Sequence, residues 1–302
     1  QREVLEKNEE YIIERNSFGE IVKNRHDYST TPQIMESAIK NQEDWKKLKI
    51  RLEPGKSRSI SWRLMPGKNE ISMWQGELQR FRTAYQKGKF ILYGAVIGYD
   101  CIQRYLGSER LLMAIVAQPE WVKEMYMFQA ELVIAMFELM VEEGFEFDGV
   151  FLGGDLGYKN GPLFSPKHYK EQLFPADKMI CDYFNKKDIA TILHSDGNVK
   201  PLIPYFIKAG SSCLQPLEVK AGMDVRELKR EYGKDLAFMG GIDVNAMAHP
   251  DPRVIEEEIK TKFEVAKESG GYIYHSDHSV PDNVSFQQYK RVIELARKYG
   301  KY

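Results

Sequence analysis

The chain has 302 residues, with 43 Lys and Arg against 44 Asp and Glu, a formal charge of -1, and 43% hydrophobic residues. That combination describes an ordinary folded protein able to bury a full apolar core, and excludes disordered and fibrous classes. The balanced charge leaves no basic surplus for a phosphate backbone, which excludes a dedicated nucleic-acid binder, and no apolar run approaches the roughly 20 residues of a bilayer span.

The opening QREVLEKNEE is charged and polar, unlike a signal peptide. YIIER, NSFGE and IVKNR (11–25) predict a β-hairpin, with Gly19 taking the left-handed turn position. NQEDWKKLKIRLEP then predicts a short surface helix ended by Pro54, and the turn-rich RLEPGKSRS and MPGKNE follow. Residues 1–70 therefore read as a hairpin-and-helix extension packed on a main body at 71–302.

From Phe90 the rhythm changes. Six short apolar runs, FILYGAVIG, FDGVFLGG, IATILH, SCLQPLE, LAFMGGID and GYIYHSD, alternate with longer helical segments. Such runs are expected of buried parallel strands. The longest helix is predicted from Pro119 to about Glu143, stopped by Gly144. Ser165 with Pro166 marks a helix start, and Ser285 with Gln288 a capping box. Phe286, Tyr289, Val292, Ile293 and Ala296 are the expected buried stripe of that last helix. Repeated strand–helix units need right-handed crossovers and a parallel sheet covered by helices. No GxGxxG follows the first run and no GxxxxGK[ST] occurs. Of the two closures, a (β/α)8 TIM barrel is therefore favoured over an open doubly wound sheet. Six runs are two short of eight, and only ISWRLM (60–65) suggests another. With Gln1 in place of an initiating methionine, a preceding segment carrying at least one strand is expected.

The run ends collect polar groups: Asp155, His194-Ser195-Asp196, Glu218, Asp243 and His275-Ser276-Asp277-His278. In a (β/α)8 barrel these ends meet on one face, which carries the active site. One acidic residue after a strand is often a helix cap, but five ends in succession point to a functional cluster. Imidazoles and carboxylates suit a divalent metal; the same groups also serve as general acid and base without one. His278 lies in a loop that breaks sharply from its strand, whereas His275 falls within the strand pattern, leaving a helix-facing orientation open. His26, His168 and His249 read as surface or helix-start residues. The loop GGDLGYKNG (153–161) reads as an active-site loop, and Tyr99, Tyr158 and Trp74 are the aromatic candidates for substrate binding. Cys101, Cys181 and Cys213 are too far apart for a CxxC element and read as reduced thiols of a cytoplasmic protein. Cys213 and the Met-rich helix MYMFQAELVIAMFELM read as core, and no GxSxG elbow exists for a serine hydrolase.

LFSPKHYKEQLFP, ILHSDGNVKPLIPYFIKAG, LQPLEVKAGMDVRELKREYG, FMGGIDV and GGYIYHSDHSVPDNVSFQQYKRVIE resemble the uroporphyrinogen decarboxylase superfamily. Within it they look closest to the cobamide-dependent methyltransferases, including the O-demethylase branch. The resemblance implies a (β/α)8 barrel with its pocket at the C-terminal face. It also implies methyl transfer from a small O- or N-methylated compound to a corrinoid carried by a partner protein. The coenzyme M branch holds zinc with a His-x-Cys pair and a late Cys; the matching positions here are His194, Asp196 and His278, without cysteine. A harder set of His194, Glu218 and His278 is the implied zinc site, with Asp155, Asp196 and Asp243 orienting or protonating the departing group. His278 also matches the late histidine of the decarboxylase branch, so a decarboxylase or lyase acting without corrinoid is the alternative. No RQAGR-type motif supports that alternative. A non-catalytic ligand-binding relative is a third reading.

Overall fold

The computed structural model describes residues 2–16, 19–26, 32–55 and 70–301, with the side chains of 70–75 outside that description. The ISWRLM stretch lies outside the described residues. The N-terminal part is an antiparallel sheet of β1 (Glu3–Lys7), β2 (Tyr11–Arg15), β3 (Ile21–Arg25) and β4 (Gln33–Glu36), in that order. The expected β2–β3 hairpin forms: Asn16 N–H donates to Glu20 O at 2.9 Å, and Gly19 turns the chain at φ +93°.

Helix α1 (Gln42–Arg51) is capped by Asn41, whose side chain accepts from Asp44 N–H, and it stops before Pro54 as expected. Trp45 of α1, 2% exposed, donates through Nε1 to Glu124 at 2.6 Å and packs edge-on against Phe128. A tryptophan buries roughly 150–250 Å², an upper bound of about 4–6 kcal/mol at about 25 cal/mol/Å². That single contact exceeds what helix propensity alone contributes over one turn.

Helix α2 (Glu70–Gln86) leads to the body, a parallel sheet of β5 (Leu92–Val96), β6 (Gly149–Gly153), β9 (Ala190–His194), β10 (Cys213–Gln215), β11 (Ala237–Met239) and β12 (Tyr272–Ile273). A two-stranded ribbon, β7 (Gly157–Tyr158) with β8 (Gly161–Pro162), lies in the loop after β6. Each of the six apolar runs supplies one strand. Every strand sits beside its neighbour in the chain, giving the order β5-β6-β9-β10-β11-β12 among the described residues. This is the winding of a TIM-barrel-like fold; an open doubly wound sheet reverses its strand order partway.

The connections are α3 (Gly98–Leu106), α4 (Ser108–Ala117) and α5 (Pro119–Glu142) before β6, α6 (Pro166–His168) and α7 (Phe174–Asn185) before β9, α8 (Ile203–Ala209) before β10, α9 (Val225–Tyr232) before β11, and α10 (Val244–Ala248) and α11 (Pro252–Ala266) before β12. Helix α12 (Phe286–Tyr299) closes the chain. Val122, Met125, Ala130 and Phe137 of α5 are buried, so the Met-rich helix is core, and Cys213 is 4% exposed. The capping box at Ser285 forms. The expected stripe on α12 holds only in part: Val292 and Leu295 are buried, while Phe286 is 77% and Tyr289 37% exposed. Among the described residues no helix is long and apolar enough to cross a membrane.

Candidate functional site

In a parallel sheet, side chains at paired register positions share a face. Gly153 pairs with His194, and His194 with Gln215, so these three line one face at the C-terminal edge of β6, β9 and β10. The chain leaves β6 through Gly154, whose N–H donates to His194 O at 3.0 Å. A Cβ at Gly154 would stand 2.7 Å from Ile97 O, so only glycine permits this approach. Asp155 follows, and its Oδ1 accepts the backbone N–H of Asp196 at 2.8 Å. His194 Nε2 lies 3.4 Å from the same oxygen.

Asp155, His194 and Asp196 thus present ligand-type atoms all within 4.8 Å of one another. The backbone around them is tied down. Ser195 Oγ accepts Leu156 N–H at 2.9 Å, and Ser195 N–H donates to Gln215 O at 2.9 Å. Gly197 approaches Gly157 so closely that a Cβ there would sit 2.4 Å from a backbone carbon, locking the β7–β8 ribbon over the 196–198 loop.

The electrostatics follow from crowding of carboxylates. Burial raises the Asp196 carboxyl above its ordinary range, and Asp155 raises it further, while His194 and His278 pull it back. Asp100, at the start of α3, accepts Asp155 N–H at 3.0 Å. Its carboxyl is raised chiefly by burial and also by the charge of Asp155. Phe151 packs against the His194 ring at 5.7 Å between centroids.

The other expected residues are distributed unevenly. Glu218 is near the cluster, but its Oε2 accepts Gly197 N–H at 2.8 Å and its Oε1 pairs with Lys220 at 3.0 Å. His278 is half-buried and close enough to influence Asp196. Of the set His194, Glu218 and His278, only His194 belongs to the convergent metal-type group. Asp243 is the N-cap of α10, accepting Asn245 N–H at 2.8 Å. Tyr99 is buried against Phe164, whereas Tyr158 is half exposed on the ribbon. Trp74 lies on α2 with its side chain outside the described residues.

His275 does not turn to the helices. Its Nδ1 lies 3.4 Å from Gln215 Nε2 and 2.6 Å from Ser276 O. The adjacent Asp277 is 1% exposed and accepts Val219 N–H and Val244 N–H, both at 3.0 Å, clamping three loops together. Asp100, Phe151 and Gln215 were missed by sequence reasoning. Asp100, just after the first apolar run, and Gln215, the polar last residue of β10, were within reach of the same strand-end rule, whereas Phe151 lies inside β6 and needed the register.

Two carboxylates and an imidazole, with no thiolate, suit a divalent cation such as zinc. Burial and then the Asp155 charge disfavour ionised Asp196, and a cation there would offset both, so the donor chemistry fits.

The sequence pattern described as Uroporphyrinogen decarboxylase (URO-D) matches residues 103–299. Among solved structures, a methyltransferase from Methanosarcina mazei superposes with a TM-score of 0.65 at 15% identity, covering 90% of this chain and 73% of that one. A Xaa-Pro dipeptidase with bound methionine reaches a TM-score of only 0.35 at 14% identity, over 81% and 70% of the chains. No curated protein matches this sequence.

Proposed function

We propose, from the premise that this chain belongs to the uroporphyrinogen decarboxylase (URO-D) family, that it is a methyltransferase. In this reading it moves a methyl group from a small O- or N-methylated compound to a corrinoid carried by a separate protein. The observation that carries the reading is the convergence of Asp155, His194 and Asp196 at neighbouring strand ends. The fold shared with the M. mazei methyltransferase is compatible with it. The reading takes the six parallel strands as staves of a (β/α)8 barrel, with residues 1–70 as an extension.

Asp155, His194 and Asp196 would hold a divalent cation, which when bound supplies Lewis-acid polarisation of the methyl-bearing oxygen or nitrogen. The chain's own residues do the rest. The short N–H contact from Asp196 to Asp155 fixes both carboxylates relative to His194. Phe151 forms an apolar wall beside the imidazole and keeps water from that side. In this reading His278, near enough to influence Asp196, would pass a proton to the departing alkoxide or amine. Tyr158, on the exposed ribbon, is the remaining aromatic candidate at the mouth.

The test is spectroscopic. Methylation of a cobalt(I) corrinoid, on its carrier or free, is followed against a panel of aryl methyl ethers and methylamines. Methyl-cobalt formation that disappears in His194→Ala supports the reading. Turnover of a carboxylated substrate with no corrinoid present would overturn it in favour of a decarboxylase or lyase.

A further inference from the structure

His194 faces two acceptors. On one side Gln215, 5% exposed, holds Oε1 2.5 Å from His194 Nδ1. On the other, Asp155 Oδ1 stands 3.4 Å from Nε2. An amide oxygen and a carboxylate oxygen only accept, and a neutral imidazole carries one N–H. In the neutral ring, the form able to ligate a cation, one of the two acceptors therefore faces a lone pair. In the neutral ring the shorter contact assigns the proton to Nδ1.

We propose that Gln215 is a positioning residue that fixes His194 in its Nδ1–H tautomer, keeping the Nε2 lone pair turned toward Asp155 and Asp196 for a divalent cation. The inference deepens the metal-assisted reading above and rests on it. A lone pair opposite a carboxylate is unfavourable when nothing lies between them, and becomes favourable once both donate to one cation. Without Gln215, Asp155 would be the sole acceptor and would draw the ring proton to Nε2, blocking that ligand position. Ligating histidines commonly have such a partner on the other ring nitrogen.

The amide itself is held. Gln215 is in register with His194 on the neighbouring strand. Its backbone O accepts Ser195 N–H at 2.9 Å, and His275 Nδ1 stands 3.4 Å from its Nε2, on the side away from His194. The amide is buried and held by its short contact to His194, while its backbone is fixed in the β9–β10 register.

Two variants separate this role from simple packing. Gln215→Leu keeps the approximate volume and accepts nothing, while Gln215→Glu retains an acceptor at the same place. Both are measured as full chains by chelator competition with Zn²⁺ and by ring nitrogen NMR of His194 in metal-free protein. Gln215→Leu is expected to weaken zinc binding about 10–100-fold and to move the His194 proton to Nε2. Gln215→Glu is expected to keep the Nδ1–H tautomer and wild-type affinity or better. Wild-type tautomer and affinity in Gln215→Leu overturn the proposal. If the wild type itself binds no zinc, the metal reading fails, and the tautomer measurement still decides the role of Gln215. Should the leucine variant not fold, Gln215→Met removes the acceptor in its place.

Discussion

Asp155 Oδ1 accepts the backbone N–H of Asp196 at 2.8 Å, so the carboxylate after one strand sets the position of the carboxylate after the next. Two like charges are thereby held together by a hydrogen bond that itself depends on one of them. Asp155→Asn keeps an acceptor oxygen and removes the charge; Asp155→Ala removes both. The asparagine variant is expected to melt within a few degrees of wild type. The alanine variant should lose about 1 kcal/mol or more from the unsatisfied N–H. Urea titrations distinguish them, and equal losses would show that the N–H contact contributes nothing.

Metal binding should appear as stability. Any ligand that binds only the folded chain raises the unfolding free energy, by about 2.7 kcal/mol at 100 times its Kd. Zn²⁺ is expected to raise the Tm of wild type, chelation to reverse it, and His194→Ala to abolish the effect. A zinc response that persists in both His194→Ala and Asp196→Ala would place the cation elsewhere.

Asp177 provides a pH prediction away from the site. Its carboxyl, 6% exposed, accepts Tyr169 Oη at 2.6 Å, and burial raises its pKa to about 7. A raised folded-state pKa means the neutral acid is favoured by folding. That contribution is complete below the ordinary aspartate range and is lost as pH rises through about 7. Asp177→Asn, which cannot ionise, should match wild type near pH 4 and exceed it in Tm at pH 8. A Tm difference that does not change with pH would contradict this.

Lys262 is 1% exposed and donates to Gly241 O at 2.7 Å and to Glu258. Glu258 in turn accepts Asp243 N–H at 2.9 Å, so the pair braces the loop after β11. Lys262→Met strands a mostly buried carboxylate and should cost about 3–5 kcal/mol, read from chemical denaturation. A loss below about 1 kcal/mol would mean that water replaces the ammonium without penalty.

Gly197 adopts φ +81°, and an added Cβ would collide with the backbone of Gly157 and Tyr158. Gly197→Ala should destabilise by about 1–3 kcal/mol and raise proteolytic cleavage in the 157–162 ribbon. Gly94→Ala, where a Cβ meets nothing within 4 Å, is the control and should be nearly neutral.

Much of this architecture was legible from residue order. The six apolar runs are the six parallel strands, because a strand buried on both faces needs a continuous apolar stretch and little else. Pro119, Ser165, Ser285 and Gly144 punctuate the helices where local chemistry requires. Local chemistry was misleading where burial depends on a neighbour: Phe286 and Tyr289 have the right spacing for a stripe, yet both are exposed.

The candidate site divides along the same line. Sequence alone placed Asp155, His194 and Asp196 at strand ends, because strand ends are marked by the switch from apolar to polar residues. Which strand-end carboxylates share a point in space was decided by tertiary pairing. Glu218 reads like a ligand and is spent on Gly197 N–H and Lys220; Asp243 reads like a catalytic acid and caps α10. Gln215 is a polar residue at the end of its apolar run, but linear order does not show what it faces. Its importance arises only because β10 pairs with β9 in a register that sets it beside His194, and hydrogen-bond partners across strands are fixed by register, which linear order does not encode.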